Sequence, residues 1–517
     1  MDIVLVILKA VVIGYAFFFA AVVIQDVGRR ILSQPGDGMR LGIVESLIDV
    51  PLFIAWVAIG TYANVNPFAI VGVAVVAGYL LHRLIRGPKK PVTVTNIIAE
   101  TAYTIFCIAI AFALAFAITN TIVRATKISI SAMGPSVLGD HFAAACPHCG
   151  HEFAIPSFGL PVTPSVECPS CQQTAVCETK PTIGDRILID LLSKPQRWQL
   201  AIFNNPYLET EEPNEPRKPV LTRVVGMPGE TIELLAGDVF VNGLRLVKWA
   251  DEFQYLWFPH SDFSWGKPIT GKSPWEQTSD GDGIKLRWSP LISVGMYKDV
   301  DTATIRIITK PRPVRDARLE VWVSDQGTGP VALTWKYAEM QAVVTGHRNK
   351  KGITIEAAGK VVEAPEAMFT ESIGIAFRDG VVTALADSKP VVTMELESFK
   401  IVDAKQTSPT ENARCDLSIQ CARQPLRATI HRDVHYLTEG SPEQPMRRAG
   451  PGDPYTVPAN GYFVLGDDSG ISEDSRVYGI LDPKYTSICT PGSLPMELLQ
   501  GVVRWRYHPF GRSQTLP

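Results

Sequence analysis

The sequence predicts N-terminal transmembrane helices followed by a mostly-β exoplasmic region that carries two insertions. Three observations lead to this fold class. Apolar residues are concentrated in about the first 125 positions, short β-type runs broken by Gly, Pro and Asp begin near position 128, and two Cys-x-x-Cys pairs follow soon afterwards. The predicted insertions are a zinc-ribbon-like segment and a β-sandwich-like domain.

Length and charge limit the classes of protein and partner. The chain has 517 residues, and a single core stops growing at roughly 250 to 300 residues, so several domains are expected. Its net charge is −3, whereas a nucleic-acid-binding protein needs a concentrated basic face. Nucleic acid is therefore excluded as a partner. A hydrophobic fraction of 46% is high for a soluble protein, which makes the lipid bilayer the first predicted partner.

Apolar runs predict a membrane region of about four helices within residues 1–123. The first run has no small-residue cleavage site before Arg29 and Arg30, which favours an anchor over a cleaved targeting peptide. The fourth has no charge over 23 residues, against roughly 20 needed to cross the hydrocarbon layer. The predicted spans are residues 1–24, 43–63, 67–84 and 101–123.

Basic residues in two loops set the predicted orientation. They lie between spans one and two and between spans three and four, and such an excess marks cytoplasmic loops. Everything after residue 123 then lies on the exoplasmic side of the cytoplasmic membrane, although Arg124 and Lys127 count against this. The loop residues are Arg29, Arg30, Arg40, Arg83, Arg86, Lys89 and Lys90.

Residues 249–429 predict an inserted β-sandwich-like domain. Its clearest signal is Asp379-Gly380 between alternating residues, because this dipeptide tolerates the positive φ of a two-residue hairpin turn. Fold alone does not imply function, so a spacer or docking surface is the simplest role. A membrane-tethered receptor that acts through this insert is the alternative.

Two cysteine pairs, Cys146-Pro-His-Cys149 and Cys168-Pro-Ser-Cys171, are separated by 18 residues. This spacing is typical of a zinc ribbon, in which four thiolates complete a closed tetrahedral site of structural type. One structural zinc and no catalytic cofactor are predicted. Disulfides are the competing interpretation, since an oxidising compartment favours them. His148, His151 and Cys177 are alternative ligands, and Cys415 is a predicted disulfide partner of Cys421.

Three separated segments share an order and a context with one known family. They are residues 131–140 after the last predicted span, residues 222–230 and residues 466–476. They resemble the Ser-Met-x-Pro-Thr-Leu, Lys-Arg-Val-Val-Gly-x-Pro-Gly-Asp and Gly-Asp-Asn-x-x-x-Ser-x-Asp-Ser-Arg motifs of bacterial type I signal peptidases, which remove leader peptides from exported proteins. The resemblance implies a signal peptidase core formed by residues 124–143, 179–248 and 430–517. The zinc-ribbon-like insertion is then residues 144–178 and the β insert residues 249–429.

The resemblance also places the catalytic positions of the family. Its nucleophilic serine corresponds to Ala132, and its lysine base, kept neutral by burial, corresponds to Thr222. The serine that helps form the oxyanion hole corresponds to Ile130, so that donor is missing too. Met133 and Pro135 are predicted to contact substrate. Ser472 matches the residue that orients the lysine, and Asp474 and Arg476 match the pair that braces the site.

A one-residue shift would present Ser131 as the nucleophile instead of Ala132. It would still need a base. Lys218 lies four residues from Thr222, or roughly 13 Å along an extended strand, and Lys127 is interpreted as a solvated anchor at the membrane surface.

The leading hypothesis is a membrane-bound signal peptidase homologue that has lost hydrolysis. Its predicted partners are signal peptides of exported proteins, an active paralogue or the translocation machinery. The alternatives are an active peptidase that uses Ser131 and the receptor that acts through the β insert.

Overall fold

The computed structural model describes residues 120–129, 132–157, 165–207, 219–248, 254–266, 273–280, 283–294, 312–324, 329–396, 414–438, 446–470 and 472–516. These residues are mostly β. Within these residues, single 3₁₀ turns lie at Gln254–Leu256, Pro483–Tyr485, Met496–Leu498 and Phe510–Arg512.

The strands are β1 (Val123–Lys127), β2 (His141–Ala145), β3 (Glu152–Pro156), β4 (Ser165–Glu167), β5 (Thr174–Cys177), β6 (Arg186–Asp190), β7 (Leu200–Phe203), β8 (Val220–Gly226), β9 (Thr231–Leu235), β10 (Asp238–Val241), β11 (Leu244–Arg245), β12 (Trp257–Ser264), β13 (Trp275–Asp280), β14 (Gly283–Trp288), β15 (Ser293–Val294) and β16 (Arg312–Pro313). They continue with β17 (Ala317–Trp322), β18 (Pro330–Tyr337), β19 (Met340–His347), β20 (Ile353–Ala357), β21 (Lys360–Ala364), β22 (Ser372–Arg378), β23 (Val381–Ala386), β24 (Lys389–Glu395), β25 (Cys415–Cys421), β26 (Arg427–Asp433), β27 (Tyr455–Thr456), β28 (Gly461–Leu465), β29 (Leu494–Pro495), β30 (Leu499–His508) and β31 (Gln514–Thr515).

The predicted fold class was wrong in its transmembrane helices. Within the ranges given above, no helix is long and apolar enough to cross a membrane. Val123, the last residue of the fourth predicted span, begins strand β1, as expected for a β-branched residue that follows Thr121 and Ile122. Residues 1–119, which hold nearly all of the four predicted spans, lie outside the described residues.

The chain divides into two compact units. The smaller unit comprises Met1–Ala125 and Leu188–Leu192. Within its described part, the Leu191 amide donates to the Ile122 carbonyl at 2.9 Å. The larger unit comprises Thr126–Ile187 and Ser193–Pro517, and the site described below lies in it.

Strand β8 is an interior strand of the main sheet, between β7 and β28. Its last five residues are all buried, as expected for a strand covered on both faces. Alternate side chains enter different cores, because successive residues of a strand point to opposite faces. Val224 packs with Phe203 and Val464, whereas Val225 packs with Phe463 and Leu465. The side chains of β8 are thereby fixed in direction.

The cysteine-rich segment forms a small four-stranded sheet in the order β3-β2-β5-β4. Gly150 closes the first cysteine turn with φ of +69°, and its amide donates to Cys146 O at 2.9 Å. A Cβ built on Gly150 would lie 1.8 Å from Asp262 O on β12, so the close approach requires glycine. Ser261 donates to Cys149 O at 2.7 Å. The cysteine turn is therefore docked on strand β12.

Two large sheets pack face to face in the second half of the chain. One has the order β12-β26-β17-β22-β23-β24 and the other β13-β14-β25-β18-β19-β20-β21. Alternate residues of each sheet enter one shared core, where Trp335 and Phe377 stack with ring centroids 3.8 Å apart. This β-sandwich includes strand β26 as far as Asp433, beyond the predicted domain boundary at Thr429.

Candidate functional site

Thr222, which the resemblance places at the position of the lysine base, lies on strand β8 with its side chain buried. The residue is 3% exposed, and its Oγ1 donates to the carbonyl oxygen of Leu465 on β28 at 3.0 Å. The hydroxyl proton is thereby used in a neutral hydrogen bond within the sheet. Since a threonine hydroxyl has no basic form near neutral pH, this side chain has no means of activating a nucleophile.

The positions that the resemblance assigns to the nucleophile, the base and the serine that orients the base lie close to Gly466. A Cβ built there would lie 1.8 Å from Ser472 Oγ and 2.9 Å from Ala132 O. The Asp468 amide also donates to Ala132 O at 3.2 Å. The structure thus brings Ala132, Thr222 and Ser472 around the Leu465–Gly466 backbone. Ile130 and Ser131 lie outside the described residues.

Met133 and Pro135 lie in the turn that follows Ala132. Met133 is 1% exposed, and its carbonyl accepts from the Val137 amide at 2.9 Å. The Gly134–Pro135 peptide bond is cis, and Arg512 donates to Pro135 O at 2.8 Å. The Met133 side chain is therefore part of the interior. Contact of Met133 and Pro135 with substrate stays a prediction.

A buried ion pair fixes the strand residue next to Thr222. Arg223 Nε donates to Asp467 Oδ1 at 2.6 Å, and Arg223 Nη2 donates to Asp467 Oδ2. The remaining donors reach Trp198 O and Ser136 Oγ. Burial alone would lower the pKa of Arg223, but the Asp467 charge outweighs it and raises that pKa. The analysis of the sequence did not identify this pair, although both residues stand in quoted motifs.

A second buried ion pair, Asp474 with Arg476, holds the loop that carries Ser472. Arg476 Nε and Nη2 donate to the Asp474 carboxylate at 2.9 Å and 2.7 Å. The Asp474 carboxylate also accepts from the amides of Gly466 at 3.0 Å and Arg476 at 3.1 Å. Because the Gly466 amide belongs to the residue that lies between Ala132 and Ser472, the ion pair holds the backbone at this point, and its role in bracing a catalytic site stays a prediction.

Both segments that connect the β-sandwich to the core pack on these arginines. Tyr255, on the leading segment, lies with its ring centroid 5.6 Å from Arg223 Cζ. On the returning segment, the Leu437 amide donates to Ser469 Oγ at 2.8 Å, and Leu437 O accepts from Arg476 Nη1 at 2.8 Å. The sandwich is therefore joined directly to the residues that brace the site.

Asp468 is a titratable group beside Ala132 that sequence reasoning did not single out. The family motif has asparagine here, which is the one signal that would have identified it. Burial raises the pKa of Asp468 to about 7, against the opposing Arg432 charge and with the help of Asp467. Its carboxyl group is therefore half-protonated near neutral pH.

The lysines near the motifs have other partners. Lys127 Nζ lies 2.8 Å from Asp140 Oδ1, and its side chain is 41% exposed. Lys248 Nζ is buried between Asp379 Oδ1 at 2.8 Å and Asp433 Oδ2 at 3.0 Å. Lys218, the candidate base for Ser131, lies outside the described residues.

Four cysteines lie together in a cluster that suits a metal ion. They belong to the four-stranded sheet β3-β2-β5-β4 and its turns, which we call the ribbon sheet. The ligand atoms of Cys146, Cys149, Cys168 and Cys171 all lie within 4.8 Å of one another. The Sγ atoms of Cys146 and Cys171 are 3.5 Å apart, and those of Cys149 and Cys168 are 3.6 Å apart. A disulfide needs about 2.05 Å, whereas thiolates about 2.3 Å from a tetrahedral ion lie at nearly this separation. The donor set therefore fits a metal ion.

The other cysteines have different surroundings. Cys177 Sγ donates to Glu178 O at 3.4 Å and is not part of the cluster. The predicted bridge between Cys415 and Cys421 was wrong. The two residues are the first and last of the single strand β25, six residues or roughly 20 Å apart along an extended chain, and both are free.

Comparison with known proteins identifies the segment that carries the first two motifs. The family described as "Signal peptidase, peptidase S26" matches residues 101–253. These matches support membership of the signal peptidase S26 family. A curated relative, "Signal peptidase I" of Leptolyngbya laminosa, is 27% identical over 88 residues, which is 16% of this chain and 40% of the relative. The chain thus covers less than half of that relative, and the third motif lies outside the matched family segment.

Two solved structures match parts of the chain. Galectin LEC-6 of Caenorhabditis elegans matches 23% of this chain and 83% of its own length, with 5% identity and a TM-score of 0.16. The laminarinase catalytic domain of Thermotoga petrophila RKU-1 matches 34% of this chain and 98% of its own length, with 8% identity and a TM-score of 0.21. At these TM-scores the likeness decides neither fold nor ligand.

Proposed function

We propose that this chain is a signal peptidase homologue with impaired hydrolysis, which binds the leader segments of exported proteins at the exoplasmic face of the cytoplasmic membrane. The observation that carries the proposal is the meeting of Ala132, Thr222 and Ser472 at Gly466. Ala132 offers a methyl group where the family has its nucleophile, and Thr222 uses its hydroxyl in a bond to Leu465 O.

The two buried ion pairs argue for a retained binding role. A buried pair often contributes little net stability compared with apolar residues of similar volume. Here Arg223 with Asp467 and Arg476 with Asp474 hold the backbone on both sides of Gly466. A scaffold that keeps this framework while it lacks the reacting groups is suited to hold a peptide without cleaving it. An active paralogue or the translocation machinery would then use the bound segment.

Zinc is the metal that we assign to the cysteine cluster. Four sulfur ligands that leave no open coordination position are typical of structural zinc. The ion would join the turn at Cys146 and Cys149 to the turn at Cys168 and Cys171, and would hold the ribbon sheet on β12. Its role is in the fold, because the four cysteines fill its coordination.

Leader-peptide cleavage and binding by four purified full-length proteins test the function. They are the wild type, Ala132→Ser, Thr222→Lys and the double variant. We expect no cleavage by the wild type or by either single variant, cleavage by the double variant, and similar leader binding by all four. The dyad requires both a nucleophile and a base.

Cleavage by the wild type that disappears in Ser131→Ala would show an active peptidase with a shifted nucleophile and would overturn the proposal. Absence of leader binding by all four proteins would also contradict it. A synthetic leader peptide with a fluorescent group on each side of the cleavage site reports cleavage, and fluorescence anisotropy of the same peptide reports binding.

A further inference from the structure

The outer faces of the two sandwich sheets differ in character. On the seven-stranded sheet, outward residues such as Lys285, Glu356 and Gln420 are exposed, as expected for a solvated face. On the six-stranded sheet, the outward residues include charged and polar side chains that are almost fully buried. Arg318, Glu320 and Thr429 are 9%, 2% and 5% exposed. This second pattern is unusual for a face that only meets water.

Strand register places these residues in adjacent rows. Glu320 on β17 lies opposite Thr429 on β26, which lies opposite Asp262 on β12. In the next row, Trp322 lies opposite Arg427. Directly opposite residues share a face, so these side chains form one surface. We call it the polar face, defined by Asp262, Arg318, Glu320, Trp322, Arg427 and Thr429.

Hydrogen bonds fix the centre of the polar face. Glu320 Oε1 accepts from Ser372 Oγ and Ser388 Oγ, both at 2.6 Å, and Glu320 Oε2 accepts from Arg318 Nη2 at 2.7 Å. Burial would raise the pKa of Glu320, but these three hydrogen bonds outweigh it and leave that pKa lowered. Glu320 is therefore an ionised, immobile acceptor that holds the Arg318 guanidinium in place.

One end of the polar face is open to solvent. Arg427 Nε and Nη2 donate to the two carboxylate oxygens of Asp262, both at 2.6 Å. The two side chains are 44% and 47% exposed. Arg427 Cζ also lies 4.7 Å from the Trp322 ring centroid. A half-buried indole thus stands beside a rigid, accessible pair of donor and acceptor groups.

Hydrogen-bonding capacity remains at the buried centre. Among the described residues, Thr429 Oγ1, His431 Nδ1 and Arg318 Nε are buried atoms without a hydrogen-bond partner. His431 lies opposite Arg318, so the three atoms belong to neighbouring positions of one surface. An unpaired buried polar atom is costly. These atoms provide donors and acceptors for a polar ligand.

The charges indicate what kind of ligand fits. Two carboxylates, Asp262 and Glu320, balance two guanidiniums, Arg318 and Arg427. Burial together with the Arg318 charge lowers the pKa of His431 to about 4, which leaves its imidazole neutral at physiological pH. A net-neutral surface gives no preference to an ionic ligand. Closely spaced donors and acceptors beside an aromatic ring suit a ligand that is uncharged, rich in hydroxyl groups and apolar along its C–H bonds.

We propose that the polar face of the sandwich binds a neutral oligosaccharide. Ligand hydroxyl groups pair with Thr429 Oγ1, His431 Nδ1 and the Asp262–Arg427 pair, and the C–H face of a sugar ring packs on Trp322. This site is separate from the Gly466 region and does not depend on whether the chain hydrolyses or binds leader peptides.

Isothermal titration calorimetry of the full-length chain tests the proposal. The probes are chitohexaose, cellohexaose and laminarihexaose as neutral oligosaccharides, with hexagalacturonate as the anionic comparison. We expect saturable binding of at least one neutral probe. We expect Thr429→Val to weaken it about five- to tenfold, as loss of one hydrogen bond does, and Trp322→Ala to weaken it about tenfold or more.

Thr429→Val changes no hydrogen bond within the described structure and removes an unpaired buried hydroxyl, so its unfolding temperature should be no lower than that of the wild type. Thr334→Val, an equivalent change on the outward side of β18 in the other sheet, should alter neither folding nor affinity. Absence of binding by all three neutral probes would overturn the proposal, as would stronger binding of hexagalacturonate. Neutral binding that is unchanged by both Thr429→Val and Trp322→Ala would also overturn it.

Discussion

Arg223 and Asp467 form a buried two-point ion pair beside Thr222, although 244 positions separate them in the sequence. Their side chains are 1% and 0% exposed. The pair joins β8 to the loop that begins after β28, and so connects the second and third motifs. Loss of either partner would leave an uncompensated charge in the interior.

Asp467→Asn should destabilise the chain strongly. The guanidinium of Arg223 would stay buried without its counter-charge, and breaking a buried pair in this way costs about 3 to 5 kcal/mol. Urea unfolding measures the change in free energy. Glu366→Gln is the matched control, because Glu366 pairs with Lys351 where both side chains are more than half exposed, and exposed pairs contribute about 0 to 1 kcal/mol. A similar loss in both variants would contradict this explanation.

Thr222→Val should have a small effect on stability, and Thr222→Ser a similarly small one, because serine removes a buried methyl group that contributes about 0.8 kcal/mol. Valine has nearly the shape of threonine but lacks the hydroxyl that donates to Leu465 O, and a net hydrogen bond contributes about 0.5 to 1.5 kcal/mol. Serine retains the donor. Thermal unfolding of the two variants measures the difference. If valine were as stable as the wild type, the hydrogen bond would not be what holds residue 222 in the sheet.

Local patterns predicted the parts of this molecule that are fixed within a few residues. The Cys-x-x-Cys spacing predicted the cysteine cluster, because each pair lies on one turn, and the Asp379-Gly380 dipeptide lies between paired strands β22 and β23. The rise of about 3.3 Å per residue along a strand would also have excluded a bridge between Cys415 and Cys421, had β25 been recognised as one strand. The proximity of Ala132, Thr222 and Ser472 could be predicted only from the resemblance to a family.

Contacts between distant residues had no signal in the sequence. Nothing in the vicinity of Arg223 identifies Asp467 as its partner, and nothing near β12 identifies β26 as its neighbour. The polar face could not be predicted from the sequence for the same reason. Arg318, Glu320 and Trp322 alternate along β17 in the pattern of an ordinary solvated strand side, and their burial becomes visible only when β22 and β26 are placed on either side.

Asp468→Asn should flatten the dependence of stability on pH. In the folded chain, burial raises the pKa of Asp468 from 3.8 to about 7, so the folded state binds this proton more tightly than the unfolded state does. The resulting stabilisation is present below about pH 4 and is lost as the pH rises to about 7. The asparagine variant stays neutral throughout. Its Tm should equal that of the wild type near pH 4 and exceed it by at least about 2 °C at pH 8.

Thermal unfolding of both proteins between pH 4 and pH 8 measures this effect. Asp482→Asn is the control. Asp482 caps an exposed 3₁₀ turn, and its replacement should not change the slope of Tm against pH between these limits. Parallel pH curves for the wild type and Asp468→Asn would show that Asp468 titrates normally in the folded chain.

Removal of the proposed zinc should loosen both the ribbon sheet and strand β12. The cysteine turn contacts β12 through the hydrogen bond from Ser261 Oγ to Cys149 O at 2.7 Å and through the close approach of Gly150 to Asp262. Without an ion, the thiolates of Cys146, Cys149, Cys168 and Cys171 would repel one another or take up protons, and the turn would lose its closed geometry.

We expect one zinc per chain by elemental analysis, a lower Tm after chelation, and faster amide exchange in β2, β5 and β12. Cys146→Ser should lose the zinc, whereas Cys177→Ser should keep it, because Cys177 Sγ points to Glu178 O. Full zinc content in Cys146→Ser, or chelation without any change in β12, would separate the metal from the docking of the ribbon.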